Sequence, residues 1–176
     1  MRDDKVQDAA RETTVPNEIL FKADNSIKES LRQQNEGKSK DGMEICLLKV
    51  NLKTREVLYS GANRQLWVVD SKTKTLTELK PTKASIASFT EFNFKYELNS
   101  LNLNKGDILF ISTDGYPDQF GGKHGKKYMS KNFKSFLTEN AHLTITQQEQ
   151  EIKANINNWM QGYEQVDDLL EIGIKL

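Results

Sequence analysis

The run Gly106-Asp-Ile-Leu-Phe-Ile-Ser-Thr-Asp-Gly115 constrains the fold of this chain more than any other stretch. Four consecutive apolar residues, Ile108 to Ile111, predict a buried strand, and Gly115 predicts a sharp turn directly after Asp114. Stability alone rarely accounts for an acid at the exit of a core strand, because its carboxylate is costly to desolvate. Such an acid is expected where it must hold a cation or activate a water. Asp114 is therefore the first candidate site residue.

A second acidic position, Asp167-Asp168, comes just before an apolar segment, Leu169 to Leu176, that predicts the last strand. If this strand and the strand ending at Asp114 are neighbours in one sheet, the two acids could share one ion. Mg²⁺ and Mn²⁺ are typically held by a few carboxylates and waters. The alternative is that Asp-Gly is ordinary turn chemistry and that Asp167 ends a helix-to-strand loop. Spacing alone leaves both interpretations open.

Length, charge and cysteine content limit the class of protein. The 176 residues fit one domain with a sizeable core. Acids and bases number 25 each, so net charge does not direct the chain to nucleic acid or an anionic membrane. Its one cysteine, Cys46, lies in an apolar run, which predicts a buried thiol and fits a reducing compartment. No stretch approaches the ~20 apolar residues of a membrane helix. We expect a cytoplasmic globular domain or a fragment of a larger protein.

The hydrophobic periodicity predicts helices at both ends of the domain. Residues 1–14 are polar and form either a flexible lead-in or a remnant helix without its partner, and residues 15–176 form the domain itself. Pro16 suits the first turn of a helix, and apolar residues recur at helical spacing from there to Leu31. A second long helix is predicted over residues 144–160, with Thr146 as its cap and Glu149 as the capping-box partner.

The middle of the chain has the periodicity of strands. Four segments predict an antiparallel meander: Ile45 to Val50, Glu56 to Ser60, Leu66 to Val69 and Thr75 to Leu79. Alternation from Phe92 to Leu98 predicts a half-buried strand. Strands in the middle with helices at both ends indicate an α+β fold around antiparallel sheet, not alternating βαβ units.

Five motifs occur in the order of one known family: Asp41-Gly-Met-Glu44, Tyr59-Ser-Gly-Ala-Asn63, Gly106 to Gly115, Asp118-Gln-Phe-Gly-Gly122 and Gln165-Val-Asp-Asp168. Over residues ~16–176 the chain resembles the C-terminal portion of bacterial metal-dependent serine/threonine phosphatases of the PPM type. The relevant branch is named after stage II sporulation protein E and includes sigma-factor-regulating phosphatases. The resemblance implies an antiparallel β-sandwich flanked by helices, here N-terminally incomplete. It also implies a site for two Mn²⁺ or Mg²⁺ ions, whose bridging water attacks a phosphoserine or phosphothreonine.

The resemblance carries over to individual residues. Asp114 and Asp167 match metal-binding aspartates, whereas Asp168 matches a supporting position or an alternative ligand. The basic residues Lys123, Lys126 and Lys127 could attract a phosphorylated protein substrate, although a solvated helix and loop face is the favoured interpretation. Ser112 and Thr113 precede Asp114, but no histidine stands where a nucleophilic triad would need one, so catalysis is expected from the metal ligands alone.

Departures from the family pattern limit what this chain can do. The family's first metal motif, Asp-Gly-His-Gly, is missing from the sequence, and with it the aspartate that bridges the two metals. Leu170 stands where the family usually has threonine, and Ile86-Ala87 replaces an Ile-Gly. We therefore expect at most one weakly bound ion and little or no activity from these residues alone. The family's N-terminal strands are expected to be absent as well, which would expose a sheet edge and favour dimerisation.

The resemblance implies the output domain of a larger bacterial signalling protein, with a sensor domain in the same parent chain and a phosphorylated protein as substrate. We expect no contact with nucleic acid or membrane. One alternative is a non-catalytic regulatory or protein-binding module built on the same fold. Another is a structural β-domain with no site, in which the two acidic positions lie too far apart to share an ion.

Overall fold

The computed structural model describes residues 2–34, 42–88 and 91–176. Its helices are α1 (Arg2–Glu12), α2 (Pro16–Gln34), α3 (Gly115–Asp118), α4 (Ser130–Glu139) and α5 (Ile145–Met160). Its strands are β1 (Ile45–Val50), β2 (Glu56–Ala62), β3 (Leu66–Val69), β4 (Leu76–Leu79), β5 (Asn99–Asn102), β6 (Ile108–Ser112), β7 (Phe120–Gly121), β8 (Lys126–Lys127) and β9 (Glu171–Lys175). Within the described ranges, no helix is both long and apolar enough to cross a membrane.

The chain divides into two compact units. The first unit takes its described residues from Met1–Leu66 and Lys80–Leu103, and the second unit comprises Trp67–Leu79 and Asn104–Leu176. Asp114 and the Asp167-Asp168 pair both belong to the second unit. Each unit has its own sheet and its own buried cluster, so each is described by itself.

The first unit is built on a three-stranded sheet in the order β1-β2-β5, in which β2 pairs antiparallel with both neighbours. Its core contains Leu20 of α2, Ala62 of β2, and Ile86 and Tyr96 of the following loops. The same helix buries a charged group, because Asp24 is fully buried and lies 2.6 Å from the Lys28 ammonium. One face of α2 therefore supplies both apolar contact and a buried ion pair to this unit.

The second unit is built on a four-stranded sheet in the order β4-β3-β6-β9. Strand β6 pairs antiparallel with β3 and β9, so the apolar run predicted to be a buried strand is an inner strand of this sheet. The core includes Trp67, Phe110, Tyr116 and Phe133, and the rings of Tyr116 and Phe133 stack with centroids 4.0 Å apart. This packing holds α3 and α4 on the sheet and thereby fixes the point where the chain leaves β6.

Mixed helices and antiparallel sheets confirm the predicted α+β class. The predicted meander is wrong in one respect, because β2 and β3 belong to different sheets. The segment from Phe92 to Leu98 is not a strand; Phe94 and Tyr96 pack on the first unit's core and against each other, while the paired strand is β5. Side chains alternate along any extended segment, whether or not its backbone pairs.

The capping residue of α5 was predicted two positions too late. Thr144 accepts a hydrogen bond from the Gln147 N–H, and the Gln147 side chain accepts one from the Thr144 N–H. Glutamine serves in a capping box as glutamate does, so Thr144 and Thr146 each fit the sequence signature. The cysteine is half-buried, less than the predicted fully buried thiol: Cys46 lies in β1, and desolvation raises the pKa of its thiol to about 12.

Candidate metal centre

Asp114 stands where β6 ends and α3 begins. The strand ends at Ser112, and Asp114 is the N-cap of α3, with its backbone in the right-handed helical region. Its carbonyl accepts a hydrogen bond from the Asp118 N–H at 2.9 Å. Asp114 itself is exposed, whereas Ser112 before it and Gly115 after it are buried. The acid predicted at the exit of a core strand therefore faces solvent, and its buried neighbours fix its position.

Asp167 and Asp168 lie in the loop that joins α5 to β9, and both are exposed. The helix ends in a left-handed residue, Gln161, with φ of 46°. The carboxylate Oδ1 of Asp167 accepts a hydrogen bond from the Asp168 N–H at 2.7 Å, and the Gln165 side chain donates to the Asp167 carbonyl at 2.7 Å. We call residues 161–168 the acidic loop.

Pairing of β6 with β9 brings the two acidic segments together. Ser112 lies opposite Glu171 in the register, so the exit of β6 adjoins the entry of β9. Thr113 continues this contact with both its backbone and its side chain. Its N–H donates to the Leu170 carbonyl at 3.0 Å, and its hydroxyl donates to the Asp168 carbonyl at 2.8 Å. That hydroxyl also accepts from the Leu170 N–H at 3.1 Å. The backbone beside Asp114 is thus bonded to the backbone beside Asp167.

Gly115 makes the approach closer than another residue would allow. A Cβ atom built at this position would lie 2.3 Å from the Asp168 carbonyl oxygen, well inside contact distance. The acidic loop therefore rests directly on the backbone of the first residue of α3. The glycine in the Asp-Gly pair serves this contact as well as the turn that the sequence predicted.

A fourth carboxyl group, that of Glu171, lies at the start of β9, opposite Ser112. Its Oε1 accepts a hydrogen bond from the Ser112 hydroxyl at 2.6 Å. Its Oε2 is buried, and no donor within the described part of the chain reaches it. Burial raises the pKa of Glu171 to about 8, with the Ser112 hydrogen bond opposing the shift. The group is therefore mostly protonated at neutral pH and acts as a neutral hydrogen-bonding partner between the strands.

The donor chemistry at this edge fits a hard divalent cation. Asp114, Asp167 and Asp168 supply carboxylate oxygens on adjoining segments, and Mg²⁺ commonly binds through one or two carboxylates plus waters. The described residues do not include a group of three His, Cys, Asp or Glu side chains arranged to hold a metal. A cation here would therefore draw on at most two of these carboxylates, with waters completing its coordination.

The predicted substrate-attracting lysines lie on the small hairpin of β7 and β8. Lys127 is engaged locally: its ammonium lies 3.0 Å from the Asp118 carboxylate and 6.0 Å from the centre of the Phe120 ring. Lys123 and Lys126 are exposed. Of the three, Lys123 and Lys126 therefore present their charge most directly to solvent.

Three residues that bond to the segments around these acids are not indicated by the sequence pattern. The sequence indicates Thr113 only as a candidate nucleophile and Gln119 only as part of a motif, and it does not indicate Glu171. Gln119 and Glu171 are polar residues within otherwise apolar or glycine-rich surroundings, which is the signal that could have drawn attention to them. Their roles depend on partners about 45 to 60 residues away in sequence, as with Gln119 and Glu164 or Ser112 and Glu171, which periodicity cannot supply.

Comparison with known proteins places the chain in context. The family model described as Stage II sporulation protein E (SpoIIE) matches residues 4–176. The PP2C domain of SiaA from Pseudomonas aeruginosa superposes with a TM-score of 0.84 at 22% identity, covering 99% of this chain and 67% of that one. The PP2C phosphatase domain of SpoIIE from Bacillus subtilis, solved with a fragment of its regulatory domain, gives 0.70 at 15% identity, covering 99% and 48%.

A third solved structure, RsbX in complex with magnesium, superposes with a TM-score of 0.63 at 16% identity, covering 98% of this chain and 71% of that one. No curated protein matches the sequence significantly. At these identities the superpositions establish a shared PP2C fold. The chain spans about two thirds of the SiaA domain and about half of the SpoIIE fragment.

Proposed function

The chain belongs to the stage II sporulation protein E (SpoIIE) family, and on that premise we propose that it is the C-terminal portion of a metal-dependent phosphatase domain acting on phosphoserine or phosphothreonine. Its PP2C-type fold supports dephosphorylation in signalling as the class of activity. The observation that carries the proposal is the adjacency of the Asp114 and Asp167 segments beyond the β6–β9 pair.

Three aspartates are the candidate ligands of one ion. Asp114 and Asp167 are the proposed ligands, since both are exposed carboxylates on segments bonded to each other. Asp168 is the alternative ligand on the same loop, because its backbone carbonyl lies against Thr113 and Gly115, the two neighbours of Asp114. When bound, Mn²⁺ or Mg²⁺ lowers the pKa of a coordinated water and offsets charge on phosphoryl oxygens.

We propose that these 176 residues turn over phosphoesters slowly. The sequence has no Asp-Gly-His-Gly motif, so the bridging aspartate of the family pattern is not supplied. One ion held by two aspartates leaves its partner ion unsupported. The working enzyme on this proposal is a larger bacterial signalling protein in the cytoplasm, with a sensor domain that controls this output domain.

The substrate proposed is a phosphorylated protein. Lys123 and Lys126 are exposed on the β7–β8 hairpin, in the same unit as Asp114, and could attract its phosphate group. Lys127 contributes less to such attraction because Asp118 already neutralises it. If Lys123→Ala or Lys126→Ala slows hydrolysis of a phosphopeptide but not of p-nitrophenyl phosphate, the lysine attracts the protein substrate. If neither rate changes, it belongs to a solvated surface.

Manganese titration tests the ligand assignment. The electron paramagnetic resonance signal of free Mn²⁺ should decrease as the protein is added, with one ion bound per chain. Asp114→Asn and Asp167→Asn should each weaken binding at least about tenfold, because each removes one of few carboxylate ligands. Asp118→Asn is the control, since that half-exposed carboxylate pairs with Lys127; the manganese affinity of this variant should stay within about twofold of the wild type.

The outcomes separate the alternatives. Unchanged affinity in Asp114→Asn would refute the ligand assignment, and stronger loss in Asp168→Asn than in Asp167→Asn would make Asp168 the ligand. No manganese binding by the folded wild-type chain would favour the non-catalytic module. Hydrolysis of p-nitrophenyl phosphate by these 176 residues at the rate of a complete domain would contradict the proposed low turnover.

A further inference from the structure

The motif Asp118-Gln-Phe-Gly-Gly122 has a part in this site that its sequence does not reveal. Gln119 is fully buried, which is unusual for a glutamine, and both ends of its amide are engaged. The Nε2 group donates to the Glu164 carbonyl at 2.9 Å and to the Phe120 carbonyl at 3.0 Å. The Oε1 atom accepts from the Val166 N–H at 3.3 Å. One side chain thus bonds to the backbone of the acidic loop at two points.

The rest of the motif fixes Gln119 to the end of α5. The Gln119 carbonyl accepts a hydrogen bond from the Trp159 indole at 3.0 Å, and the Gly122 N–H donates to the Trp159 carbonyl at 2.7 Å. A Cβ atom at Gly121 would lie 2.1 Å from that same carbonyl oxygen, so the two backbones meet where a side chain would not fit. The motif is therefore a rigid support that reaches the acidic loop through the Gln119 amide.

Asp167 stands between two such supports. Gln119 bonds to residues 164 and 166 before it, and Thr113 bonds to residues 168 and 170 after it. Residues 161–168 are all exposed, so the loop has little apolar burial to hold one conformation. Without a support, the ligand would have to be ordered when the metal binds, at the cost of conformational entropy. Side chains that lock a ligand's segment beforehand raise affinity for that reason.

We infer that Gln119 is a positioning residue of the metal centre: its amide holds the Glu164–Val166 backbone and so sets where Asp167 stands beside Asp114. This inference rests on the proposed function, because it takes Asp167 to be a ligand. A glutamine that merely filled the core would need partners for its amide, but it would not need both of its outward bonds to go to the loop that carries the ligand.

Gln119→Met is the variant that tests this role. Methionine has the same length and fills the buried volume, but it has no amide, so the acidic loop loses both bonds. Manganese affinity should fall at least about fivefold, and exchange of the Val166 amide hydrogen should accelerate at least about tenfold. Gln148→Met is the matched control: Gln148 is also buried in the second unit, and its amide donates to the Leu143 carbonyl at 3.1 Å, away from the acidic loop. Its manganese affinity should stay within about twofold of the wild type.

The outcomes distinguish a failure of this inference from a failure of the proposed function on which it rests. Wild-type protein that binds no manganese overturns the proposed function and the inference with it. Wild-type and Gln119→Met proteins that bind manganese equally overturn the inference alone. Equal losses in Gln119→Met and Gln148→Met would show a general effect of core stability and would also overturn it. If Gln119→Met does not fold, the wild type still decides: a Val166 amide that exchanges at its unprotected rate would contradict the proposed anchoring.

Discussion

Asp24 in the first unit and Asp114 in the second are aspartates used in opposite ways. Asp24 is fully buried; one carboxylate oxygen lies 2.6 Å from the Lys28 ammonium and the other accepts from the Ala87 N–H at 2.7 Å. Asp114 is exposed at the end of β6, beside a backbone that buried neighbours hold in place. In the first unit the acid stabilises the structure, whereas in the second the structure presents the acid. Mutations should therefore separate stability from metal binding.

Asp24→Ala should produce the largest loss of stability. Removing one partner of a buried ion pair leaves the Lys28 ammonium buried without its counter-charge, which typically costs about 3–5 kcal/mol. Urea unfolding followed by circular dichroism measures the free energy. Asp114→Asn serves as the comparison and should change stability by less than about 1 kcal/mol, because the residue is exposed. Equal losses in the two variants would contradict the contrast between the units.

Gly115→Ala should produce the second-largest loss of stability. Its new Cβ atom would meet the Asp168 carbonyl oxygen at 2.3 Å, and that oxygen belongs to backbone that cannot rotate away. Relieving such a clash typically costs about 1–3 kcal/mol, and it moves the acidic loop away from Asp114. Thermal unfolding and manganese titration should both show the defect. Gly173→Ala is the control for the substitution itself, since it lies in β9 outside the acidic loop, its φ is not positive, and a Cβ there would come closest to the Phe110 ring, at 3.3 Å. A Gly115→Ala protein with wild-type affinity would show that the close approach does not matter.

The sequence predicted the parts of this site that depend on local pattern. The apolar run Ile108 to Ile111 and the glycine after Asp114 predict the strand and its turn without any knowledge of partners. The order of motifs placed Asp167 at the same edge by resemblance. Periodicity could not show that Thr113 and Gln119 form hydrogen bonds to the acidic loop, because these bonds join residues about 50 positions apart in the sequence. It also misassigned Phe92 to Leu98, where apolar alternation comes from packing and not from strand pairing.

Thr113→Val tests the support on the far side of Asp167. Valine keeps the shape but removes the hydroxyl, which leaves the Asp168 carbonyl and the Leu170 N–H without this partner. The loss of these hydrogen bonds should cost about 1–2 kcal/mol of unfolding free energy and weaken manganese binding. Thr113→Ser retains the hydroxyl and should restore most of both. If the serine variant is as defective as the valine variant, the methyl group matters and the hydrogen bonds do not.

Glu171→Gln should have the most specific effect, a change in how stability depends on pH. Asp24 has a cation beside it, but Glu171 has the Ser112 hydroxyl, and burial raises its pKa to about 8 from the ordinary 4.5. The folded state therefore keeps a proton that the unfolded state loses. Stability from this group is fully present below pH 4.5, falls as pH rises, and is lost above pH 8. Between pH 6 and pH 8 the wild type should lose about 2 kcal/mol more than Glu171→Gln. Urea unfolding at a series of pH values measures both slopes, and parallel slopes would mean that Glu171 is ionised in the folded protein, so that the second unit too buries a charged carboxylate.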